Sequence, residues 1–181
     1  MKLRVYDIRN YPDPVLSLKA ENVEVFDDNL QEIINNMCLT MQMAGGVGLA
    51  APQVGILKRI AIILREEKYI LINPELIECS GNETSEEGCL SFPGIFAQVT
   101  RPYCIKVKTN DINGEVKFIE VEGYIARAFL HEMDHLDGKL FIDYLSPLKR
   151  GMITKKMKKR TLENGNKKTK KRTLENDDRE S

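Results

Sequence analysis

The stretch Tyr124-Ile-Ala-Arg-Ala-Phe-Leu-His-Glu-Met-Asp-His135 holds both histidines of the 181-residue chain. Its last five residues, His131-Glu-Met-Asp-His135, have the form H-E-x-x-H. Ile125, Phe129, Leu130, Met133 and Leu136 recur at helical spacing, and Gly138 supplies a stop. The stretch is therefore expected to be a helix, with the fold built around it. Four residues span just over one helical turn, so His131 and His135 project from one face, where two neutral imidazoles can hold a divalent ion. Glu132 follows the first histidine directly and can serve as a general base on a water activated by that ion. The plainer alternative is an amphipathic helix whose histidines pair with carboxylates. A catalytic metal site needs a third protein ligand and an open position.

Length and composition narrow the setting. A chain of 181 residues makes one domain, with room for a tail. Its zero net charge hides a split. Residues 1–148 carry 14 Lys+Arg against 22 Asp+Glu, a net of −8, and residues 149–181 carry 13 against 5, a net of +8. An acidic body with a basic tail points to an anionic partner for the tail, or to a tail that only solvates. Cys38, Cys79, Cys89 and Cys104 follow no disulfide framework, and no Cys-x-x-Cys occurs. The start, Met-Lys-Leu-Arg-Val-Tyr-Asp, has no apolar signal core, and the longest apolar run, residues 60–64, is far too short for a membrane span. A cytoplasmic, reduced protein with no membrane part is expected.

Upstream of the histidines, residues 1–26 read as irregular, with a turn at Tyr11-Pro-Asp-Pro14. Asp27 or Asp28 caps a helix carrying Leu30, Ile33, Ile34, Met37 and Met41 at core spacing and ending at Gly45-Gly46. Gly46-Val-Gly-Leu-Ala-Ala-Pro-Gln53 follows. It lacks the Lys-Ser/Thr ending of a phosphate loop and runs on to strand-like Val54, so nucleotide binding is rejected. Its small residues suit either a backbone-lined groove with Gln53 pointing in or a plain tight connection. Short strands are expected at residues 70–74, ended by Pro74, and at 76–79. Gly88-Cys89 and Pro93 then fix a loop, where Cys89 is either a third metal ligand or a small buried hydrophobe. Strands are expected at residues 95–100, 103–109 and 116–121, with a hairpin turn at Asp111-Ile-Asn-Gly114. Tyr103, Ile105, Val107 and Thr109 on one side alternate with Cys104, Lys106 and Lys108 on the other, which makes Cys104 a poor ligand. A short strand at 139–142 and a helix opened by Ser146-Pro147 close the body. Beyond Gly151, Lys158-Lys-Arg-Thr-Leu-Glu-Asn164 recurs as Lys170-Lys-Arg-Thr-Leu-Glu-Asn176, and a frayed helix running into a disordered tail is expected. The boundaries expected are a catalytic domain over residues 1–150 and a basic tail over 151–181.

Three stretches in order resemble the peptide deformylases: Gly46-Val-Gly-Leu-Ala-Ala-Pro-Gln53, Glu87-Gly-Cys-Leu-Ser91 and His131-Glu-Met-Asp-His135. They match that family's G-x-G-L-A-A-x-Q, E-G-C-L-S and H-E-x-x-H patterns, and the resemblance spans roughly residues 1–150. It implies an α+β fold, with a metal-binding central helix enclosed by antiparallel sheets. It implies Cys89, His131 and His135 as ligands of one divalent metal, with Fe2+ as the working ion and Zn2+, Ni2+ or Co2+ tolerated. It further implies a hydrolase that removes formyl from N-formyl-methionyl nascent peptides, with Glu132 as base and the Gln53 amide and Leu90 N–H as oxyanion donors. A thiolate beside Fe2+ also implies oxygen sensitivity. Tyr124, Arg127 through its stem, and Ala128 share the helix face of His131; with Val47 they are expected to hold the methionine side chain. Gly46, Gly48 and Gly88 are expected to pair with the substrate backbone as an added strand. Leu130 departs from the family, which often has glutamine there. Arg101 and Asp134 either pair behind the metal or are unrelated surface charges.

Two other classes compete. A metallopeptidase uses the same H-E-x-x-H, although this chain has no third histidine. A non-catalytic RNA- or ribosome-binding protein would use residues 149–172, which hold 12 basic residues and one acidic. No DNA partner is expected.

Overall fold

The computed structural model describes residues 3–177, with side chains described as far as residue 163. Met1–Leu145 and Ser146–Ser181 form two compact units. In the first, Asp27 caps helix α1 (Asp28–Met43): its carboxylate accepts the Leu30 N–H at 2.9 Å. Gly45, at φ 67°, turns the chain away after the helix. Five strands, β1 (Gly48–Ala50), β2 (Ile60–Leu64), β3 (Lys68–Ser80), β6 (Cys104–Asn110) and β7 (Val116–Glu122), pair antiparallel in the order β1-β2-β3-β6-β7. Strands β4 (Glu83–Gly88) and β5 (Phe96–Arg101) form a separate antiparallel ribbon. Helix α2 (Gly123–Leu136) contains the H-E-x-x-H residues. This is the α+β architecture expected from the sequence.

The unbroken apolar run of β2 has a simple cause: the strand is covered on both faces. Ile60 and Ile62 pack with Ile34, Met37 and Met41 of α1, whereas Ala61 and Ile63 pack with Phe129, Met133 and Leu136 of α2. Phe129 is fully buried there, which stabilises the fold by about 1.5–3 kcal/mol by general transfer estimates. On β6 the alternation holds for Ile105, Val107 and Thr109, which are buried between half-exposed neighbours, whereas Tyr103 precedes the strand and is exposed. Behind α2, Gly138 sits at φ 70°, and a Cβ there would come within 2.7 Å of the Ser17 carbonyl oxygen. Only glycine closes the helix this way.

Three local expectations are corrected. The two short strands around Pro74 are one strand, β3, with register shifts between Ile72 and Glu75 and between Leu76 and Glu78. At this irregularity Asn73 has φ 52°, and its side chain bonds both the N–H and the C=O of Val23. A proline is tolerated at such a bulge because no ladder hydrogen bond is lost there. Val54 belongs to a 3-10 turn, Ala51–Val54, initiated by Pro52, and not to a strand. The expected strand at 139–142 is instead a 3-10 turn, Phe141–Tyr144, whose Asp143 carboxylate accepts the Leu140 N–H at 2.9 Å. Strand β4, which holds Glu86 and Glu87, answers to no strand expected from the sequence.

The second unit is helix α3 (Pro147–Asp177), whose first turn begins with the Lys149 N–H on Ser146 Oγ at 3.4 Å. It extends through both copies of the repeat, beyond the frayed helix expected. Its lysine, arginine, glutamate and leucine are strong helix formers, and no proline follows Pro147. The last residues of the expected disordered tail, 178–181, lie outside the described residues. No helix among the described residues is long and apolar enough to cross a membrane.

Candidate metal centre

Helix α2 presents His131 and His135 one turn apart, their rings 5.1 Å between centroids. The third group comes from a different element. Gly88 ends β4, and Cys89 follows at the start of a turn closed by the Phe92 N–H on the Cys89 carbonyl at 2.9 Å. The Cys89 Sγ lies 3.3 Å from His135 Nε2. One donor atom from each of Cys89, His131 and His135 falls within 4.8 Å of the others, so the three can hold a metal ion. The remaining cysteines, Cys38, Cys79 and Cys104, are free and belong to no such cluster among the described residues.

The surroundings suit an ion. His131 Nδ1 is 3.1 Å from Glu87 Oε2, which leaves Nε2 as the nitrogen available to a ligand. Glu87 is buried, yet its carboxyl is held at about 2: burial works to raise it, and hydrogen bonds from His131 and Arg101 more than offset that. The two imidazoles are pulled in opposite directions. Burial lowers both; His135 stays well below its ordinary value, while hydrogen bonding to Cys89 and Glu87 carries His131 well above. Both are neutral when they act as ligands. A donor set of one thiolate and two imidazoles fits a borderline divalent ion such as Zn2+ or Fe2+.

Glu87 is the hub of a buried ion network. Arg101 donates to it through Nε at 2.9 Å and Nη2 at 3.0 Å, and Arg127 through Nη1 at 2.8 Å. Arg101 reaches on to Asp134 at 2.5 Å, which also accepts the Tyr144 hydroxyl at 2.9 Å. Of the two readings left open, Arg101 and Asp134 therefore pair. Such networks contribute geometry more than net stability. The sequence assigns Glu87 no role of its own; its one signal is an acidic residue two positions before a candidate ligand.

Two of the three donor residues, Cys89 and His131, line a groove of about 590 Å³. Gly46, Val47, Gly48, Gln53, Gly88, Leu90, Tyr124, Arg127, Ala128 and Glu132 all line it with Cys89 and His131; His135 lies behind, buried. Every residue named from the sequence as a site candidate is thus at or beside one cleft. Ile8 and Phe96 line it too and were not anticipated, since neither lies in a motif. Gln53 is fully buried; its Oε1 accepts the Ala50 N–H at 2.8 Å, and its Nε2 donates to Ser91 Oγ at 3.2 Å and faces Cys89 Sγ at 3.5 Å. Glu132 is buried with Oε2 lacking a hydrogen-bond partner, and burial lifts its carboxyl to about 7. A Cβ on Gly48 would come 2.9 Å from Glu132 Cδ, so the glycine makes room for that carboxylate. The Arg65 guanidinium sits 4.3 Å from the ring centroid of Tyr124, one of the groove residues.

Comparison with known proteins gives a consistent result. Residues 5–151 match the family model described as polypeptide deformylase. A peptide deformylase of Stenotrophomonas maltophilia strain K279a is 51% identical over 160 residues, covering 84% of this chain and 94% of the relative. The crystal structure of a peptide deformylase from Legionella pneumophila superimposes with a TM-score of 0.84 at 42% identity, covering 90% of this chain and 98% of that one. The Ehrlichia chaffeensis peptide deformylase in complex with actinonin gives 0.84 at 38% identity, with coverage of 87% and 98%.

Proposed function

The chain belongs to the polypeptide deformylase family, and from that premise we propose that it hydrolyses the formyl amide of N-terminal formyl-methionine on newly made polypeptides, releasing formate. The observation that carries the reading is the meeting of the Cys89, His131 and His135 donor atoms, with Cys89 and His131 lining the same groove as Glu132, whose Oε2 lacks a hydrogen-bond partner. Cys89, His131 and His135 would hold one divalent ion, with Fe2+ as the working metal and Zn2+, Ni2+ or Co2+ as alternatives. When bound, the ion supplies Lewis-acid polarisation and makes water nucleophilic near neutral pH.

The chain's own residues do the rest. Glu132, with a carboxyl near 7, is balanced to accept a proton from the attacking water and return it to the amine nitrogen as the C–N bond breaks. Gln53 is held by its Oε1 bond to Ala50, which aims Nε2 at the space beside Cys89. It donates to the oxygen that gains charge, and the Leu90 N–H is the second donor. Among the described residues β1 pairs only with β2, so its other edge is open to an extended peptide alongside Gly46 and Gly48, with Gly88 lining the same groove. Val47, Tyr124, Ala128 and the Arg127 stem receive the methionine side chain.

Turnover of formyl-Met-Ala-Ser, with the acetylated analogue left uncut, is the expected result. Cleavage of an internal peptide bond with the formyl group intact would replace this reading with a metallopeptidase.

We place the enzyme in the cytoplasm. The basic helix α3 gives it a contact with ribosomal RNA, because residues 149–172 carry 12 basic residues and one acidic. Removal of residues 151–181 is expected to leave tripeptide turnover unchanged and to weaken ribosome co-sedimentation at low salt. Equal co-sedimentation of the truncated chain would assign the tail to solvation alone.

A further inference from the structure

The metal ligands come from two elements that share no strand pairing. His131 and His135 are on α2, and Cys89 follows the β4–β5 ribbon, which is separate from the five-stranded sheet. Something must hold the ribbon at a fixed distance from the helix, or the sulfur drifts from the nitrogens. Arg127 is buried one turn before His131 on α2. Its guanidinium reaches both strands of the ribbon: Nη2 donates to the Glu83 carbonyl of β4 and Nη1 to the Val99 carbonyl of β5, each at 2.8 Å. Nη1 also donates at 2.8 Å to Glu87, the carboxylate that orients His131. One side chain thus spans the helix, both strands and the histidine's supporting group.

We infer that Arg127 is a positioning residue that fixes the cysteine-bearing ribbon against the histidine helix and so sets how firmly the metal is held. The inference rests on the deformylase reading only for its kinetic half. Arg101 reaches the opposite way, from β5 to Asp134 of α2, so the two arginines brace the same gap from both sides. Arg101 already grips Glu87 at two atoms. What Arg127 alone adds is the grip on the strand carbonyls. An ammonium in its place carries the charge but cannot reach three acceptors through a planar fork.

The test uses the full chain loaded with Co2+, comparing wild type with R127M, which keeps the stem in the groove, and R127K, which keeps the buried charge and so the fold. Release of Co2+ to a chelator is followed by its visible absorption, and kcat and KM are measured on formyl-Met-Ala-Ser. Loss of a group supporting a metal ligand typically weakens metal binding by ~10–100-fold. R127M is expected to release Co2+ faster by about that factor and to lose kcat per bound ion with KM nearly unchanged, with R127K intermediate. Where R127M does not fold, R127K alone decides by the same readouts. Release at the wild-type rate in a folded variant overturns the inference, and a raised KM with unchanged release makes Arg127 a pocket wall only. Wild type with no turnover on the formyl peptide would sink the deformylase reading and leave the release measurement standing.

Discussion

Replacing Glu132 by glutamine is expected to lower kcat on formyl-Met-Ala-Ser by ~10²–10⁴-fold while the chain keeps one metal ion, the range for loss of a general acid–base group. The substitution preserves shape. Glutamine fits the space that Gly48 leaves open, and neither Cys89 nor the histidines hydrogen-bond the Glu132 carboxylate. What changes is proton capacity. The carboxyl stands at about 7 because burial disfavours its charge, and this level lets it both take and return a proton near neutral pH. An amide does neither. KM is expected to move little, since the substitution leaves untouched the β1 edge and apolar wall proposed to hold the substrate. Metal content and rate are measured on the same preparation. A variant turning over within tenfold of wild type at full metal content would remove Glu132 from the reaction.

How far the sequence could lead is visible in which residues needed partners distant in the chain. The helix around His131 is local: its core spacing and glycine stop are all within fifteen residues, so α2 was legible. So was a cap for α1 at Asp27 or Asp28, of which the cap is Asp27. Cys89 is 42 positions before His131, and nothing in the spacing joins them; only the resemblance of three ordered motifs did. Strand β4 reads Glu-Thr-Ser-Glu-Glu-Gly, polar and largely exposed, and it exists because β5 pairs with it. Pattern alone gives such a strand no signal. The sequence puts the Arg127 stem in the pocket, and Arg127 lines the groove. Its buried head was the missed part. A charged residue on the same helix face as a buried histidine must find partners, and that requirement was readable even though the partners, Glu83, Glu87 and Val99, were not.

The sulfur is where the metal assignment is most exposed to test. Cys89→Ala is expected to abolish stoichiometric metal retention and, with it, turnover. Loss of a mere supporting partner costs ~10–100-fold in metal affinity, and loss of a ligand that bonds the ion directly is expected to exceed that. The fold should survive. Cys89 is half-buried in a turn held by backbone atoms, the Phe92 N–H on the Cys89 carbonyl, and the adjoining ribbon is fixed by its own pairing and by Arg101. Two imidazoles one turn apart remain in the variant, so weak metal binding persists and the rate returns in part at high added metal. Cys89→Ser, which offers an oxygen in the sulfur's place, is expected to fall between alanine and wild type, with a larger deficit for metals that favour thiolate. Metal per chain after desalting, read beside circular dichroism, separates ligand loss from unfolding. A folded C89A protein that keeps one ion and full rate would require a different third ligand. No other group of three or more His, Cys, Asp and Glu side chains among the described residues could serve as a separate metal centre.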